Sequence, residues 1–289
     1  MRKIRPNSIR LNRWWLPAFL LVLCAPRLVA QQAAYTNSIG MEFVLIQPGS
    51  MVVGRFQPPY PKRNPSENVS AATNKGMPWT SKDYQLAEEL VKQDARLGFS
   101  VTISRPYYIG KFEVTQGQWK QVMGNNPSAF QGSNVTDDAA QHPVEQVTWQ
   151  DAQKFLSKLN ALEKVRHYRL PTEFEWEYAA RAGATDDIAW KAIQAAAQLG
   201  SVTTGRVGQK APNAWGVYDT LGNVWEWVQD YYNEKLFADP PDHSTRSGKQ
   251  HVLKGASFMG DVKNATYMTH AGGPGNGWDV GFRVVLETK

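Results

Sequence analysis

Three helix starts with one shared chemistry place the tightest restriction on the fold of this chain. Each start pairs a Thr with a Gln, Asp or Glu three residues later: Thr115 with Gln118, Thr148 with Asp151, and Thr172 with Glu175. In such a capping box the hydroxyl accepts a hydrogen bond from a backbone amide, and the later side chain reaches back to the amide of the capping residue. An indole follows in each helix, and we expect it to anchor the helix on the core. These indoles belong to Trp119, Trp149 and Trp176.

Short strands and turns account for most of the other segments. Residues 37–54 indicate two strands about a turn at 47–50, and residues 101–110 indicate a strand pair or one bent strand. Two further helices are predicted at 81–98 and 188–199. Few helices among many short strands and long loops predict an α+β fold with irregular segments.

The first 30 residues have the layout of a secretory signal peptide. They contain six cations and no acid, and their apolar run at 14–25 is short for a bilayer span. We predict cleavage after Ala30, which leaves 31–289 as a single domain with an insertion at about 55–98. The protein would then be periplasmic or secreted, with no membrane span after cleavage. A retained membrane anchor is the alternative.

The same six cations account for the net charge of the chain. The formal charge of all 289 residues is +6, so subtracting six leaves a neutral remainder. A neutral domain lacks the basic surface on which nucleic-acid binding depends. The expected partner is therefore a protein or a small molecule, and not nucleic acid.

Cys24 is the one cysteine of the chain, and it lies inside the predicted signal peptide. A lipidated cysteine is the alternative, but the residue before such a cysteine is normally small, and here it is Leu23. Cleavage after Ala30 leaves no thiol. The mature protein would then form no disulfide and would have neither a thiolate metal ligand nor a cysteine nucleophile.

A carboxylate lies between two indoles in the sequence Trp225-Glu226-Trp227. Glu is seldom fully buried unless it is paired, whereas Trp buries a large area. Three explanations of Glu226 stay open at this point. It could be a surface residue, one half of a buried pair with an arginine such as Arg181, or a ligand of a cation.

Several long motifs follow one another in a consistent order between about residue 37 and residue 287. They are YYIGKFEVTQGQW, NNPSAF, HPVEQVTWQDAQKFLSKLN, YRLPTEFEWEYAARAG, NAWGVYDTLGNVWEWVQDYY, LKGAS and GFRVV. This set resembles the formylglycine-generating enzyme family, also called the sulfatase-modifying factor domain. The resemblance implies a variant of the C-type lectin fold with little regular secondary structure, which agrees with the α+β prediction.

The resemblance also implies a structural calcium ion near Glu226. The matching ligands are two side chains and two backbone carbonyls: those of Asp219 and Glu226, and those of Gly222 and Val224. Calcium prefers six to eight hard oxygens, including carbonyls that a turn presents. Its charge would also compensate a partly buried Glu. A second calcium site of the family would fall between residues 183 and 217, where its Asn-containing motif has no match.

Enzymes of the family that make formylglycine use two cysteines to bind copper(I), activate oxygen and engage the substrate thiol. Thiolates suit copper(I) because both are soft. Alignment of Gly255-Ala256-Ser257 with the family's turn puts the two cysteine positions at Gly260 and Ala265. Neither residue binds copper, so copper is not expected. Met259, Met268 and His270 could in principle hold copper(I), although Met more often fills gaps in a core.

The groove that the family uses would be lined by the segment around Ser257, by Asp279, and by a glycine-rich loop at 272–277. Its candidate functional residues are Ser257, Gly260, Asp261, Ala265 and Asp279. Asp261 could act as a general base if burial raised its pKa.

Three functions stay open, and whether the protein is an enzyme is one of the open points. The first is an exported, formylglycine-generating-enzyme-like protein that uses the groove for a different oxidation or modification, or for binding. The second is a non-catalytic binding module with a C-type-lectin-like scaffold. The third is genuine formylglycine generation. A deep pocket with titratable groups at Gly260 would favour an enzyme, and a site filled by Phe258 and Met259 would favour a binding module.

Overall fold

A computed structural model describes most of the region after residue 33. The described ranges are 34–54, 98–164, 167–185, 188, 190–237, 245–262, 265–273 and 275–288. The chain divides into two units, 1–31 and 32–289, and every described residue belongs to the second. The predicted signal peptide lies outside the described residues, and so does the helix predicted at 81–98 apart from Gly98. Both stay predictions.

Eleven short strands and four α-helices make up the regular structure that is described. The strands are β1 (Ala34–Thr36), β2 (Glu42–Ile46), β3 (Gly49–Val53), β4 (Phe99–Ile103), β5 (Tyr107–Gly110), β6 (Tyr168–Arg169), β7 (Trp225–Tyr231), β8 (His251–Lys254), β9 (His270–Gly272), β10 (Val280–Gly281) and β11 (Val285–Glu287). The helices are α1 (Gln116–Met123), α2 (Trp149–Glu163), α3 (Glu173–Arg181) and α4 (Trp190–Ala196). The α+β prediction is confirmed.

The strands form three separate sheets. Five antiparallel strands have the order β1-β2-β5-β11-β6, so the late strand β11 lies between β5 and β6. A second sheet has the order β10-β7-β8-β9, in which β10 and β7 are parallel. The third is the antiparallel pair β3-β4.

The two strands predicted about the turn at 47–50 exist, as β2 and β3, but they do not pair with each other. β2 pairs with β1 and β5, whereas β3 pairs with β4. Similarly, the segment 101–110 forms two strands that belong to different sheets, because β4 ends at Ile103 and β5 begins at Tyr107. Turn residues show where a strand ends, but distant side chains decide its partner.

All three predicted capping boxes are present. The Thr side chain at each N-cap accepts a hydrogen bond from the third helical residue, whose own side chain accepts one from the Thr amide. The helix predicted at 188–199 is α4, which runs from Trp190 to Ala196. Two of the three indoles are buried as predicted, Trp119 and Trp176, and Trp149 is half-buried against the core.

The five-stranded sheet is covered on both faces. Tyr108 and Leu286 point to a core cluster shared with α1 and α2, whereas the adjacent Ile109 and Val285 point to a cluster shared with α3 and the β3-β4 pair. This alternation is the two-residue period of a strand. A third cluster lies beside β7 and β8 and contains Trp176 of α3. The sheets thus hold α3 and β7 firmly next to each other.

None of the described helices is long and apolar enough to cross a membrane. The apolar run at 14–25 falls outside the residues to which this finding applies.

Candidate functional site

Glu226 is fully buried at the start of β7, where an arginine and an indole hold its carboxylate. Arg283 donates from Nε to Oε2 at 2.6 Å and from Nη2 to Oε1 at 2.5 Å. Trp176 donates from Nε1 to Oε2 at 2.7 Å. Glu226 is therefore paired with an arginine, but the suggestion of Arg181 was wrong. Arg181 binds Glu177 one turn earlier in α3, at 2.7 Å.

Two further buried carboxylates lie beside this pair. Glu113 accepts hydrogen bonds from Asn223 Nδ2 at 2.6 Å and from the Val224 amide at 3.2 Å. Asp219 accepts one from the Gly208 amide at 2.6 Å through Oδ2, while its Oδ1 is buried without a hydrogen-bond partner. We call Glu113, Asp219, Glu226 and Arg283 the carboxylate cluster.

The charges of the carboxylate cluster do not balance, since three acids share one arginine. Burial raises the pKa of Glu113 well above its usual value, and the neighbouring Asp219 and Glu226 raise it further. Burial also raises the pKa of Asp219 to about 6, although the Gly208 amide and Arg283 act against the shift. Sequence reasoning missed Glu113. The available signal was an acid set between the apolar residues Phe112 and Val114.

The chemistry of the cluster fits a cation. Asp219 Oδ1 has no donor, and the excess of acid is buried, so a hard cation would satisfy both. Glu226 Oε1 takes one donor, which leaves it a free lone pair. No group of three or more described His, Cys, Asp or Glu side chains is arranged to hold a metal by itself. A calcium ion here would depend on backbone carbonyls, such as those predicted at Gly222 and Val224.

The residues predicted for the groove are brought together only in part. Ser257 is buried, and its hydroxyl donates to Asp279 Oδ2 at 2.7 Å. Gly260 is half-buried, and its amide donates to the Ser257 carbonyl at 2.8 Å. Asp261 is exposed. Ala265 is fully buried in the apolar cluster beside β7 and β8.

Glu145 lies close enough to Asp279 for an electrostatic interaction, and sequence reasoning had left it without a role. Glu145 is fully buried, and its Oε1 accepts a hydrogen bond from the Phe130 amide at 3.0 Å, while its Oε2 has no partner. Burial raises the pKa of Glu145 to about 7, and the nearby Asp279 adds to the shift. We call Glu145, Ser257 and Asp279 the acid site. The signal in the sequence was an acid set among the apolar residues of HPVEQV.

Three exposed apolar side chains belong to segments connected to the acid site by sequence or by a backbone hydrogen bond. Met259 is 62% exposed and Trp278 is 65% exposed, and each is next in sequence to a segment that carries the site. Val202 is 86% exposed, and the preceding Ser201 amide donates to the Phe258 carbonyl at 3.0 Å. We call Val202, Met259 and Trp278 the apolar rim.

Phe258 fills the space beneath the rim. It is buried, and its ring meets that of Phe130 edge to face, with the centroids 5.3 Å apart. Three described cavities, of about 670, 200 and 380 Å³, are lined by other residues than those of the acid site. The glycine-rich loop reaches the site at Gly277, whose carbonyl accepts from the Gln146 amide at 3.1 Å.

The soft donors that could have held copper(I) have different surroundings. Met259 is exposed, whereas Met268 is buried. His270 Nδ1 lies 3.0 Å from Glu173 Oε1, within a buried ionic network that continues to Lys254 and Glu177. His270 therefore belongs to the packing between β9 and α3.

The sheets, the short helices and the long loops define the class of protein. Two solved structures share this fold with a TM-score of 0.64 each. One is PvdO from Pseudomonas aeruginosa, at 21% identity over 90% of this chain and 100% of that chain. The other is Treponema denticola variable protein 1, at 27% identity over 89% of this chain and 100% of that chain.

Sequence comparison narrows this class to one family. The sulfatase-modifying factor enzyme 1-like domain matches residues 30–288, so the chain belongs to that family. The chaperone protein LppX of Paenibacillus barcinonensis is 30% identical over 278 residues, which cover 75% of this chain and 94% of LppX. The formylglycine-generating enzyme of Streptomyces coelicolor is 33% identical over 140 residues, which cover 41% of this chain and 42% of that enzyme. The match thus spans less than half of that enzyme.

Proposed function

We propose that this protein is an exported member of the family that binds a polypeptide at the family groove, without copper-thiolate chemistry. One observation carries the loss of that chemistry. The two positions aligned with the family's cysteines are Gly260 and Ala265, and Ala265 is packed into an apolar core. A redox metal site needs donor side chains at those positions, and neither residue has one.

The packing at the groove supports binding over catalysis. Phe258 is buried against Phe130, and the space beside Gly260 is taken up by the Ser257 carbonyl and by the side chains of Ala256 and Leu199. The apolar rim is exposed around it, and exposed apolar side chains grouped in one place are typical of a protein-binding surface. LppX, whose name describes a chaperone, supports a polypeptide as the ligand, since it matches over 94% of its own length.

A different enzymatic reaction is the second candidate, and Glu145 is the observation that favours it. A carboxyl group with a pKa of about 7 suits general acid-base chemistry at neutral pH. The carboxylate of Asp279 acts on it electrostatically and accepts a hydrogen bond from the Ser257 hydroxyl. Turnover of a substrate by the protein is the observation that would favour this enzymatic function over polypeptide binding.

A structural calcium ion at the carboxylate cluster is part of the same proposal. Asp219 and Glu226 would hold it with their side chains, and Gly222 and Val224 with their carbonyls. When bound, the ion supplies positive charge to a cluster that has three acids and one arginine. It thereby supports the turn before β7, in which Asp219 and Asn223 have left-handed backbone conformations with φ of 52° and 59°.

Loss of the copper-thiolate chemistry is tested with a sulfatase peptide. Purified protein, supplied with copper(I), oxygen and a peptide containing Cys-x-Pro-x-Arg, should leave the cysteine unchanged by mass spectrometry. A formylglycine-generating enzyme assayed in parallel provides the positive control. Robust conversion of the peptide by this protein would overturn the proposal.

Binding of a polypeptide is tested with an aggregating protein. We expect the wild-type protein to suppress light scattering by thermally unfolding citrate synthase, and Trp278→Ser to lose at least half of the effect. Leu162→Ser is the matched control, since Leu162 is a similarly exposed apolar residue at 54% but lies on α2 outside the rim. Absence of suppression, or equal loss in both variants, would contradict binding at the rim.

A further inference from the structure

The acid site carries negative charge that no described cation neutralises. Glu145 and Asp279 act on each other electrostatically, since Asp279 raises the pKa of Glu145. Among the described residues, neither acid has a Lys, Arg or His nitrogen within 4.0 Å. The carboxylate of Asp279 is held by Ser257, and Asp279 itself is half-buried and so open to a ligand. Other buried acids of the fold, such as Glu177 and Glu226, do have cations.

Glu145 supplies an independent sign that the site is incomplete. Its Oε2 is buried without a hydrogen-bond partner, although a buried polar atom in a folded protein normally has one. Leaving such an atom unsatisfied destabilises the folded state. A cation in the adjoining groove would recover part of that free energy.

The apolar rim shows what else the ligand must offer. Of the four large apolar side chains that are exposed among the described residues, three form this rim and one, Leu162, lies elsewhere. Trp278 directly precedes Asp279, so an exposed indole and a half-buried carboxylate come from adjacent positions of the chain. An indole packs well against an aliphatic stem and also attracts a cation through its ring face.

We propose that the acid site and its apolar rim recognise a lysine side chain next to an apolar residue of a bound polypeptide. The ammonium group contacts Asp279, with Glu145 adding charge from the interior, while Trp278 and Met259 take the lysine stem and the apolar neighbour. This inference rests on the proposed polypeptide binding and adds the chemical feature that is recognised.

The ionisation of Glu145 makes this recognition depend on pH. The groups that face Glu145 are the Ser128 hydroxyl, the amides of Ala129 and Phe130, and the carboxylate of Asp279. With a pKa of about 7, Glu145 is mostly neutral at pH 6 and mostly ionised at pH 8. A cation favours the ionised form, so its affinity should rise by up to about tenfold over this interval.

Two dipeptides that differ only in the charge test the proposal on the wild-type protein. Acetyl-lysyl-phenylalanine amide should bind at least tenfold more tightly than acetyl-norleucyl-phenylalanine amide at pH 8, as measured by isothermal titration calorimetry. The ratio of the two affinities should be several times smaller at pH 6, where Glu145 is mostly neutral and no longer adds its charge to the Asp279 contact. Equal affinities at pH 8, or no binding of either peptide, would overturn the proposal.

Two variants test whether Glu145 is responsible for the preference for lysine and for its dependence on pH. Glu145→Gln should reduce the preference for lysine severalfold and remove its dependence on pH, whereas Glu42→Gln should leave both unchanged. Glu42 is a fitting control because it is an exposed acid paired with Lys111 on the five-stranded sheet. Circular dichroism and the melting temperature at pH 8 establish that each variant is folded. If Glu145→Gln does not fold, the pH series on the wild-type protein decides.

A third probe distinguishes a polypeptide from a small amine. Phenylethylamine carries an ammonium group and an aromatic ring without a peptide backbone, and we expect it to bind at least fivefold more weakly than the lysyl dipeptide. Equal or tighter binding would overturn the polypeptide source. If the rim variant abolishes suppression of aggregation while the two dipeptides bind equally, polypeptide binding stands and lysine recognition fails.

Discussion

Glu226 and Glu145 are both buried acids, yet their carboxylates differ in the number of hydrogen-bond partners they have. Glu226 receives three hydrogen bonds from Arg283 and Trp176, while Glu145 keeps one oxygen with no partner. A buried acid with a cation supports the fold, whereas one without a cation reduces stability unless a proton or ligand compensates it. This contrast separates a structural carboxylate from one that is available to a ligand.

Glu145 leads to a prediction about pH. Burial raises its pKa from 4.5 to about 7, so the folded state holds the proton more tightly than the unfolded state. The resulting stabilisation is present below pH 4.5 and is lost as the pH rises through about 7. We expect the loss to be about 2 kcal/mol after allowance for solvent screening.

The measurement is urea unfolding of the wild-type protein and of Glu145→Gln between pH 5 and pH 8. The wild-type free energy of unfolding should fall relative to that of the variant over this range. Glu42→Gln serves as the reference for a surface acid. Parallel curves for wild-type protein and Glu145→Gln would show that Glu145 titrates normally.

The sequence singled out one of these buried acids but identified the partners of none. Glu226 was singled out because of its two flanking indoles, but its partner Arg283 is 57 residues away and could not be identified from local pattern. Glu113 and Glu145 lie in apolar surroundings that are visible in the sequence, yet a lone acid in an apolar run does not show which groups it faces. Whether two acids lie close together depends on how distant segments of the chain pack, and this packing is visible only in the three-dimensional structure.

At the level of elements, α3 shows what local sequence does and does not determine. Its capping box at Thr172 and Glu175 was predictable, because capping depends on residues three apart. Its burial was not, since α3 carries Glu173, Glu177 and Arg181 on buried positions. Those charges are tolerated because β8 brings Lys254 to within 3.2 Å of Glu177.

This arrangement predicts unequal effects for two lysines. Lys254→Met removes a fully buried cation from between two acids and should lower the free energy of unfolding by about 3–5 kcal/mol. Lys154→Met is the matched control. It removes an ammonium group that is 65% exposed in a surface pair with Asp151, and should change stability by less than about 1 kcal/mol.

Chemical unfolding with tryptophan fluorescence as the readout compares the two variants. Similar small losses in both would mean that the methionine packs as well as the ion pair it replaces, as happens in some buried ionic networks.

In the described residues, three sheets and their core clusters support the loops that carry most residues of the two sites. The loops were the part least accessible to sequence reasoning, because their approach to one another follows from β7, β8 and β10 and not from any local motif. Family resemblance assigned Ser257 and Asp279 to one groove, and in the structure their side chains are joined by a hydrogen bond. It also placed Ala265 in the groove by alignment, although that residue is packed in the core.

Calcium provides a prediction for the molecule as a whole, since the carboxylate cluster joins the strands of two sheets through Arg283. Calcium should raise the melting temperature of the wild-type protein by several degrees, because an ion that binds only the folded state stabilises it. Asp219→Asn should abolish most of that gain. Differential scanning calorimetry with and without a chelator measures it.

Asp138→Asn is the control for the calcium experiment. Asp138 is an exposed acid that caps a short 3-10 turn, and Asn retains that capping. An equal calcium response in wild-type protein and Asp219→Asn would exclude Asp219 as a ligand.

The position of β11 has a consequence for the order of folding. This strand follows all others of its sheet along the polypeptide, yet it lies in the interior of that sheet between β5 and β6. During synthesis β5 therefore cannot pair with β11 until nearly every other strand has been made. Pairing between segments so far apart in sequence is slow. The five-stranded sheet is therefore completed only after residues 285–287 have been synthesised and have entered between β5 and β6.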